Sequence, residues 1–263
     1  MSVPRCLTIA GSDSGGGAGI QADLKAFAAA GCFGMTAIVA LTAQNTTGVT
    51  AVHELPPEFV RAQLEAVFSD LGVDAAKTGM LFSAPIIETA ADFLREHPLP
   101  LVVDPVMVAS SGARLLREDA VAALVGRLFP LATVVTPNLD EARALAGTDE
   151  EDGYELAERL HALGAAAVIV TGGHGAHAVD HLFDGDVHVE IPVPRHDVAA
   201  THGAGCTHSA TLAALLARGL ALHEAARGAA EAAAAAVEHG LAELGAGEGP
   251  VDVFRLHETI RAG

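Results

Sequence analysis

The chain has 263 residues, 51% of them hydrophobic and 4% aromatic, enough to bury a full core as one large α/β domain. Its 15 basic residues stand against 33 acidic ones, a formal charge of -18, which argues against a nucleic-acid or anionic-membrane surface built from lysine and arginine patches. Any bound anion must then be held by backbone N–H groups, a metal and a few local cations.

In chain order, residues 7–11 read as a buried strand and residues 20–30 as the helix that follows, so the segment between them is a strand-to-helix turn. Strand-like runs recur at 36–41, 74–77, 101–104, 133–136 and 166–171, with helical patterns at 57–69, 85–96, 118–128 and 156–163. Near-continuous apolar strands separated by helices predict a doubly wound, mostly parallel sheet with helices on both faces, and ligands there gather at the carboxyl ends of the strands. A hairpin is expected from 177–183 and 187–191 about Asp184-Gly185-Asp186. Helices are expected at 207–217, 222–240 and 253–261. No linker, repeat or composition break interrupts the chain.

Three cysteines, Cys6, Cys32 and Cys206, lack the spacing of zinc or redox sites, and a disulfide framework is not expected. With no apolar run of about 18 residues and no secretory leader pattern, the expectation is a cytoplasmic protein without a membrane span.

The segment Thr201-His202-Gly203-Ala204-Gly205-Cys206-Thr207 opens a long alanine-rich helix. Such a turn presents unpaired N–H groups and the positive end of a helix dipole to an anion, and a thiol at that end is expected to have a lowered pKa. Cys206 can be read as a nucleophile, an inert buried thiol or a base that takes the proton of a substrate hydroxyl. At the end of the glycine-rich run from Gly11 to Gly19, Gly17, Gly19 and Ala22 fit G-x-G-x-x-A, the outline of a dinucleotide turn. The acidic partner expected about 20 residues on is absent, and no P-loop pattern exists.

Asp23, one turn into the first helix, can accept from a ligand N–H or sit as a solvated dipole partner. Gln44 ends the second strand, where an amide suits a heteroaromatic ring. Asp104, Asn138 and Glu141 lie at neighbouring strand ends. They can hold Mg2+ beside substrate phosphates, although Asn138 with Glu141 three residues on equally fits a capping box. Lys77 reads as an ordinary structural lysine.

The runs from Ala10 to Lys25, Thr42 to Thr46, Lys77 to Met80, Asp104 to Met107, Thr136 to Asn138, Gly172 to His174 and Thr201 to Thr207 together resemble the hydroxymethylpyrimidine/phosphomethylpyrimidine kinases of thiamine biosynthesis, in the ribokinase-like superfamily. The resemblance covers nearly the whole chain. It implies one ribokinase-like domain over residues 1–263, three layers deep, using ATP and Mg2+ to phosphorylate 4-amino-5-hydroxymethyl-2-methylpyrimidine and then its monophosphate. It implies further that Asp23 and Gln44 contact the pyrimidine, with Gly11, Met80 and Val106 lining its pocket. Gly203, Ala204, Gly205 and Cys206 would form the anion hole, with Cys206 as base. Asp104 and Glu141 would serve the metal, while Asn138, Thr171, Gly173 and Thr201 attend ATP and its phosphates. A homodimer is usual for the group.

Ala204 stands where most members have threonine, and Ser110 and Thr171 where lysine is common. Ala204 and Thr171 are similar to a neighbouring branch that phosphorylates pyridoxal or pyridoxine, whereas Gln44 favours the aminopyrimidine. A ligand-binding protein without catalysis and an NAD-dependent oxidoreductase are the readings from other classes.

Overall fold

Alternating apolar strands and amphipathic helices bury themselves by stacking in layers, and the computed structural model shows this arrangement over residues 3–108, 112, 115–117, 119–172, 179–194, 196 and 198–262, the residues it describes. Strands β1 (Arg5–Asp13), β2 (Phe33–Asn45), β3 (Gly48–Glu54), β4 (Ala75–Thr78), β5 (Leu101–Val103), β6 (Val134–Val135), β7 (Val168–Val170), β8 (Val179–Phe183) and β9 (His188–Pro192) form one sheet. Their order is β3-β2-β1-β4-β5-β6-β7-β8-β9. The strands from β2 to β7 in that order run parallel, while β3, β8 and β9 pair antiparallel with their neighbours.

The helices are α1 (Gly19–Ala29), α2 (Pro57–Asp70), α3 (Ala84–Glu96), α4 (Ala120–Ala123), α5 (Leu139–Ala146), α6 (Gly153–His161), α7 (Ala204–Ala217), α8 (Leu222–Glu238) and α9 (Leu256–Ala262). Because side chains alternate along a strand, each strand feeds two cores. Leu7, Ile9, Val103, Val135 and Val168 pack with α2 to α6, whereas Cys6, Val102, Val134 and Ile169 pack with α1, α7 and α8. The parallel strands read as continuous apolar runs because both faces are covered.

The structure departs from the sequence pattern in three places. Strand β3 was not predicted, since it lies at the sheet edge with no buried residue to give it a periodic signal. The helix expected at 118–128 is only α4, after which the chain widens into a π turn, Leu124–Leu128, and tightens into a 3-10 turn, Phe129–Leu131. Gly126 and Pro130 weaken a regular helix there, and residue 118 lies outside the described residues. Helix α7 starts at Ala204, three residues before the predicted position.

Candidate active site

The parallel strands end on one edge, and the turns that follow them hold nearly every polar residue singled out above. At α7, Gly203 is the residue before the first helical turn, with φ +87° and ψ 5°. A side chain there would also bring its Cβ within 1.9 Å of the Gly17 carbonyl oxygen, so only glycine fits. The Ala204 N–H donates to the Thr201 carbonyl at 3.0 Å. Among the described residues, the N–H groups of Gly205 and Cys206 have no protein acceptor, and open space lies in front of Gly205. The cradle thus rests on Gly205 and Cys206, and Ala204 contributes its conformation rather than its N–H.

The glycine-rich turn does something other than bind a pyrophosphate. Its amides close around Asp13, which accepts from Gly15 N at 2.7 Å, Gly17 N at 3.0 Å and Ala18 N at 2.9 Å. His202 Nε2 lies 3.2 Å from the same carboxylate. Burial works against this charge, but the His202 contact and the Ala18 and Gly15 amides outweigh it and hold the Asp13 carboxyl below the usual range. The Gly15, Gly17 and Ala18 amides of the turn are thus taken by a side chain of the protein itself, which speaks against the dinucleotide reading. Asp13 was missed in the sequence; the signal was a carboxylate two residues before a run of glycines.

Beneath the cradle lies a buried charge cluster. Lys77 Nζ is 3.0 Å from Asp23 Oδ1 and 3.5 Å from Asp104 Oδ2. Thr8 Oγ1 donates to Asp23 at 2.6 Å and Ser209 Oγ donates to Asp104 at 2.7 Å. Lys77 and Asp23 are fully buried. Burial would lower the Lys77 ammonium, yet Asp23, Cys206 and Asp104 together raise it, so it stays charged. The solvated reading of Asp23 does not hold: it is fully buried, and its two oxygens accept from Thr8 and Lys77. The ordinary reading of Lys77 also fails. A lysine inside the four-residue strand Ala75–Thr78, buried at every position, was the available signal.

The thiol also departs from expectation. Cys206 is half-buried, and its pKa is pushed up to about 12. Burial is the main cause. Asp23 and Asp104 add to it, while Lys77 and the Gly19 N–H pull the other way without prevailing. The helix end alone would favour the thiolate, but burial, with two carboxylates adding to it, reverses that preference.

On the acceptor side, Gly11 N–H donates to the Met80 carbonyl at 3.1 Å, which joins two of the expected pocket residues, and Val106 packs against the adjoining core. Gln44 accepts from Thr42 Oγ1 at 3.1 Å. It opens onto a cleft of about 310 Å³ that it shares with Asn45, Thr46, His202 and Glu248, apart from Met80 and Val106.

On the phosphate side, the Asn138 and Glu141 capping box is formed: Glu141 N donates to Asn138 Oδ1 at 2.9 Å and Asn138 N to Glu141 Oε2 at 3.1 Å. The other Glu141 oxygen accepts from Met107 N at 3.2 Å. Burial first, and then the Asp104 charge, push the Glu141 carboxyl up to about 8. Thr171 bridges to Asn138, so those two expected nucleotide residues are neighbours. The Thr201 hydroxyl donates to Glu248. Gly173 lies outside the described residues, as do Ser110 and the segment to 178.

Phosphomethylpyrimidine kinase is the family whose model matches, over residues 13–252. The chain is 53% identical over 258 residues to a hydroxymethylpyrimidine/phosphomethylpyrimidine kinase of Rhizobium meliloti, covering 94% of this chain and 96% of that protein. It is 50% identical to the thiamine biosynthesis bifunctional protein ThiED of Geobacter sulfurreducens, covering 97% of this chain and 53% of that longer protein. Among solved structures, an ADP complex of Bacillus subtilis pyridoxal kinase superimposes with a TM-score of 0.89 at 41% identity, covering 100% of both chains. A nearly full-length family match and the same mostly parallel, helix-covered sheet lead to one conclusion: this chain belongs to the phosphomethylpyrimidine kinase family.

Proposed function

We propose that this kinase, acting as one domain over residues 1–263, transfers the γ-phosphoryl of ATP to the hydroxymethyl group of 4-amino-5-hydroxymethyl-2-methylpyrimidine and then to the resulting monophosphate. The observation that carries the reading is the pair of unsatisfied N–H groups of Gly205 and Cys206, set directly over the Lys77, Asp23 and Asp104 cluster. Phosphoryl transfer is catalysed by positioning and electrostatics, so fixed donors beside the equatorial oxygens are what it needs. The protein carries a charge of -18, and these oriented dipoles attract a phosphate where the surface as a whole repels it.

Cys206 is the proposed base, taking the proton of the attacking hydroxyl. A thiol that carries its own proton cannot take another, so the step draws on the thiolate: Cys206 first releases its proton to solvent, and the thiolate then takes the hydroxyl proton once the bond to phosphorus has begun to acidify the alcohol. A loose transition state tolerates that order, because it places little demand on the nucleophile. Lys77 supports the step by placing a positive charge near both the sulfur and Asp104. Asp23 positions Lys77. Gln44 supplies an amide that can donate and accept at once, which matches an aminopyrimidine edge better than a pyridine aldehyde.

Asp104 and Glu141 are the proposed Mg2+ residues. Two buried carboxylates, with the Asp104 charge raising the proton affinity of Glu141, have the chemistry of a hard-cation site, and Mg2+ commonly takes one or two carboxylates plus phosphates and water. Bound there, the ion would neutralise phosphate charge. Among the described residues no cluster of three or more ligating side chains exists, so the nucleotide must complete the site. No helix of the described residues is long and apolar enough to cross a membrane, in keeping with the proposed cytoplasmic location. We also propose a homodimer.

The test is steady-state kinetics with ATP and Mg2+ on either acceptor. The hydroxymethylpyrimidine should be preferred over pyridoxal by at least about tenfold in kcat/KM, a modest discrimination for one hydrogen-bonding amide. A preference for pyridoxal would overturn the substrate assignment.

A further inference from the structure

The α7 face of the sheet carries a row of polar side chains along the edge where the parallel strands end. Thr8, Lys77 and Asp104 are tied to α1 or α7, as described above. At the far end of the row, on β8, stands Asp180, and above it on α7 stands His208, each 4% exposed. The mechanism proposed above uses neither.

His208 Nε2 lies 3.5 Å from Asp180 Oδ2, and neither ring nitrogen has a hydrogen-bond partner. An imidazole buried this way is expensive to keep in a helix whose other inward positions are mostly alanine and leucine, where a leucine would fill the space without penalty. The other oxygen of Asp180 accepts from the Gly172 N–H at 3.0 Å, deep in the structure. Gly172 follows Thr171 at the end of β7, and a Cβ on it would come within 2.0 Å of the Val179 carbonyl oxygen. The Gly172 backbone is therefore pressed onto β8 and pinned by one carboxylate, and that carboxylate faces the helix whose N-terminus is the phosphate cradle.

We infer that Asp180 and His208 are positioning residues for the nucleotide. Asp180 fixes the Gly172 amide, and the His208 imidazole, 3.5 Å from its other oxygen, pairs with it from α7, so the Gly172 backbone and the cradle keep one spacing across the phosphate chain. This rests on the reading that ATP lies along that edge. It gives His208 a reason to be polar and assigns the pair an effect on one substrate only.

The experiment compares wild type, Asp180→Asn, His208→Leu and His208→Gln by calorimetric titration with ADP and by steady-state kinetics in both substrates. Asp180→Asn and His208→Leu should weaken ADP binding and raise the KM for ATP about tenfold, the scale of one lost polar contact. The KM for the pyrimidine should stay within about twofold. His208→Gln keeps an N–H donor and should recover most of the loss, which a mere packing role would not allow. Leucine suits the helix, so His208→Leu decides the matter even where Asp180→Asn folds poorly. Unchanged ADP affinity in His208→Leu, or equal rises in both KM values, overturns the inference. A wild-type chain that does not bind ADP overturns the kinase mechanism and this inference together, whereas wild-type binding with unaltered variants overturns this inference alone.

Discussion

Cys206 owes its character to its neighbours more than to its place on a helix. The sulfur feels a helix end and the Lys77 ammonium, both of which favour the anion, yet burial with Asp23 and Asp104 keeps the proton on. A thiol in that state has no place for a second proton, so only the fraction that has released its own proton to solvent can take the proton of the substrate hydroxyl. Replacing it by alanine should leave ADP binding intact, because the cradle is made of backbone. Turnover should fall by about 100-fold, within the range of general acid-base catalysis. Rapid-quench measurement of the phosphorylated product checks this, and near-normal turnover would remove Cys206 from the chemistry. The sequence made Cys206 and its glycines visible through local spacing. It hid Lys77, since nothing local in Ala75–Thr78 says that two carboxylates from distant segments, Asp23 and Asp104, meet that ammonium.

The glycine-rich turn between β1 and α1 shows how an element can be stabilised from within. Helix α1 has no side-chain cap on its own N-terminal residue. Asp13 takes that role from five residues upstream by binding the Ala18 amide, and it organises the whole turn around one buried carboxylate. Asp13→Ala would leave three amides without an acceptor and should cost about 3 kcal/mol, at about 1 kcal/mol per lost partner, read from urea denaturation. An acid effect follows from the same contact. The folded carboxyl lies below its unfolded value, so its stabilisation is complete above an unfolded pKa of about 4 and is lost as pH falls through the lower folded value. Urea midpoints measured from pH 6 down to pH 3 should therefore drop more steeply for wild type than for Asp13→Asn. Equal slopes would show that Asp13 is not the group responsible. The capping box at α5 was legible in advance because its two members are three residues apart, whereas the Asp13 arrangement depends on a loop conformation that no fixed spacing encodes.

Across the whole molecule, the parallel centre of the sheet is sealed on both faces, and the incompletely covered parts lie at its two antiparallel edges. Phe33, Leu41, Phe59 and Leu71 are among the exposed large apolar residues, on β2, α2 and the turn after α2, and Leu41 pairs with His53 of the edge strand β3. A second copy covering that side accounts for them and for the open edge. Sedimentation velocity at micromolar concentration should give about twice the chain mass of 26.7 kDa. A single-chain mass that persists as concentration rises would refute the dimer.

Hydrophobic periodicity was sufficient to read the layered α/β architecture, the parallel centre and the helix that carries the cradle, because runs of about a dozen residues already show by their spacing which faces each element buries. The same holds for the Asn138 and Glu141 cap. Tertiary structure alone decided that Lys77 bridges Asp23 and Asp104, that Asp13 fills the glycine turn in place of a cofactor phosphate, and that the Cys206 thiol is held neutral. In each of these, charges distant in the chain are brought together out of water, where their mutual energies exceed any local preference.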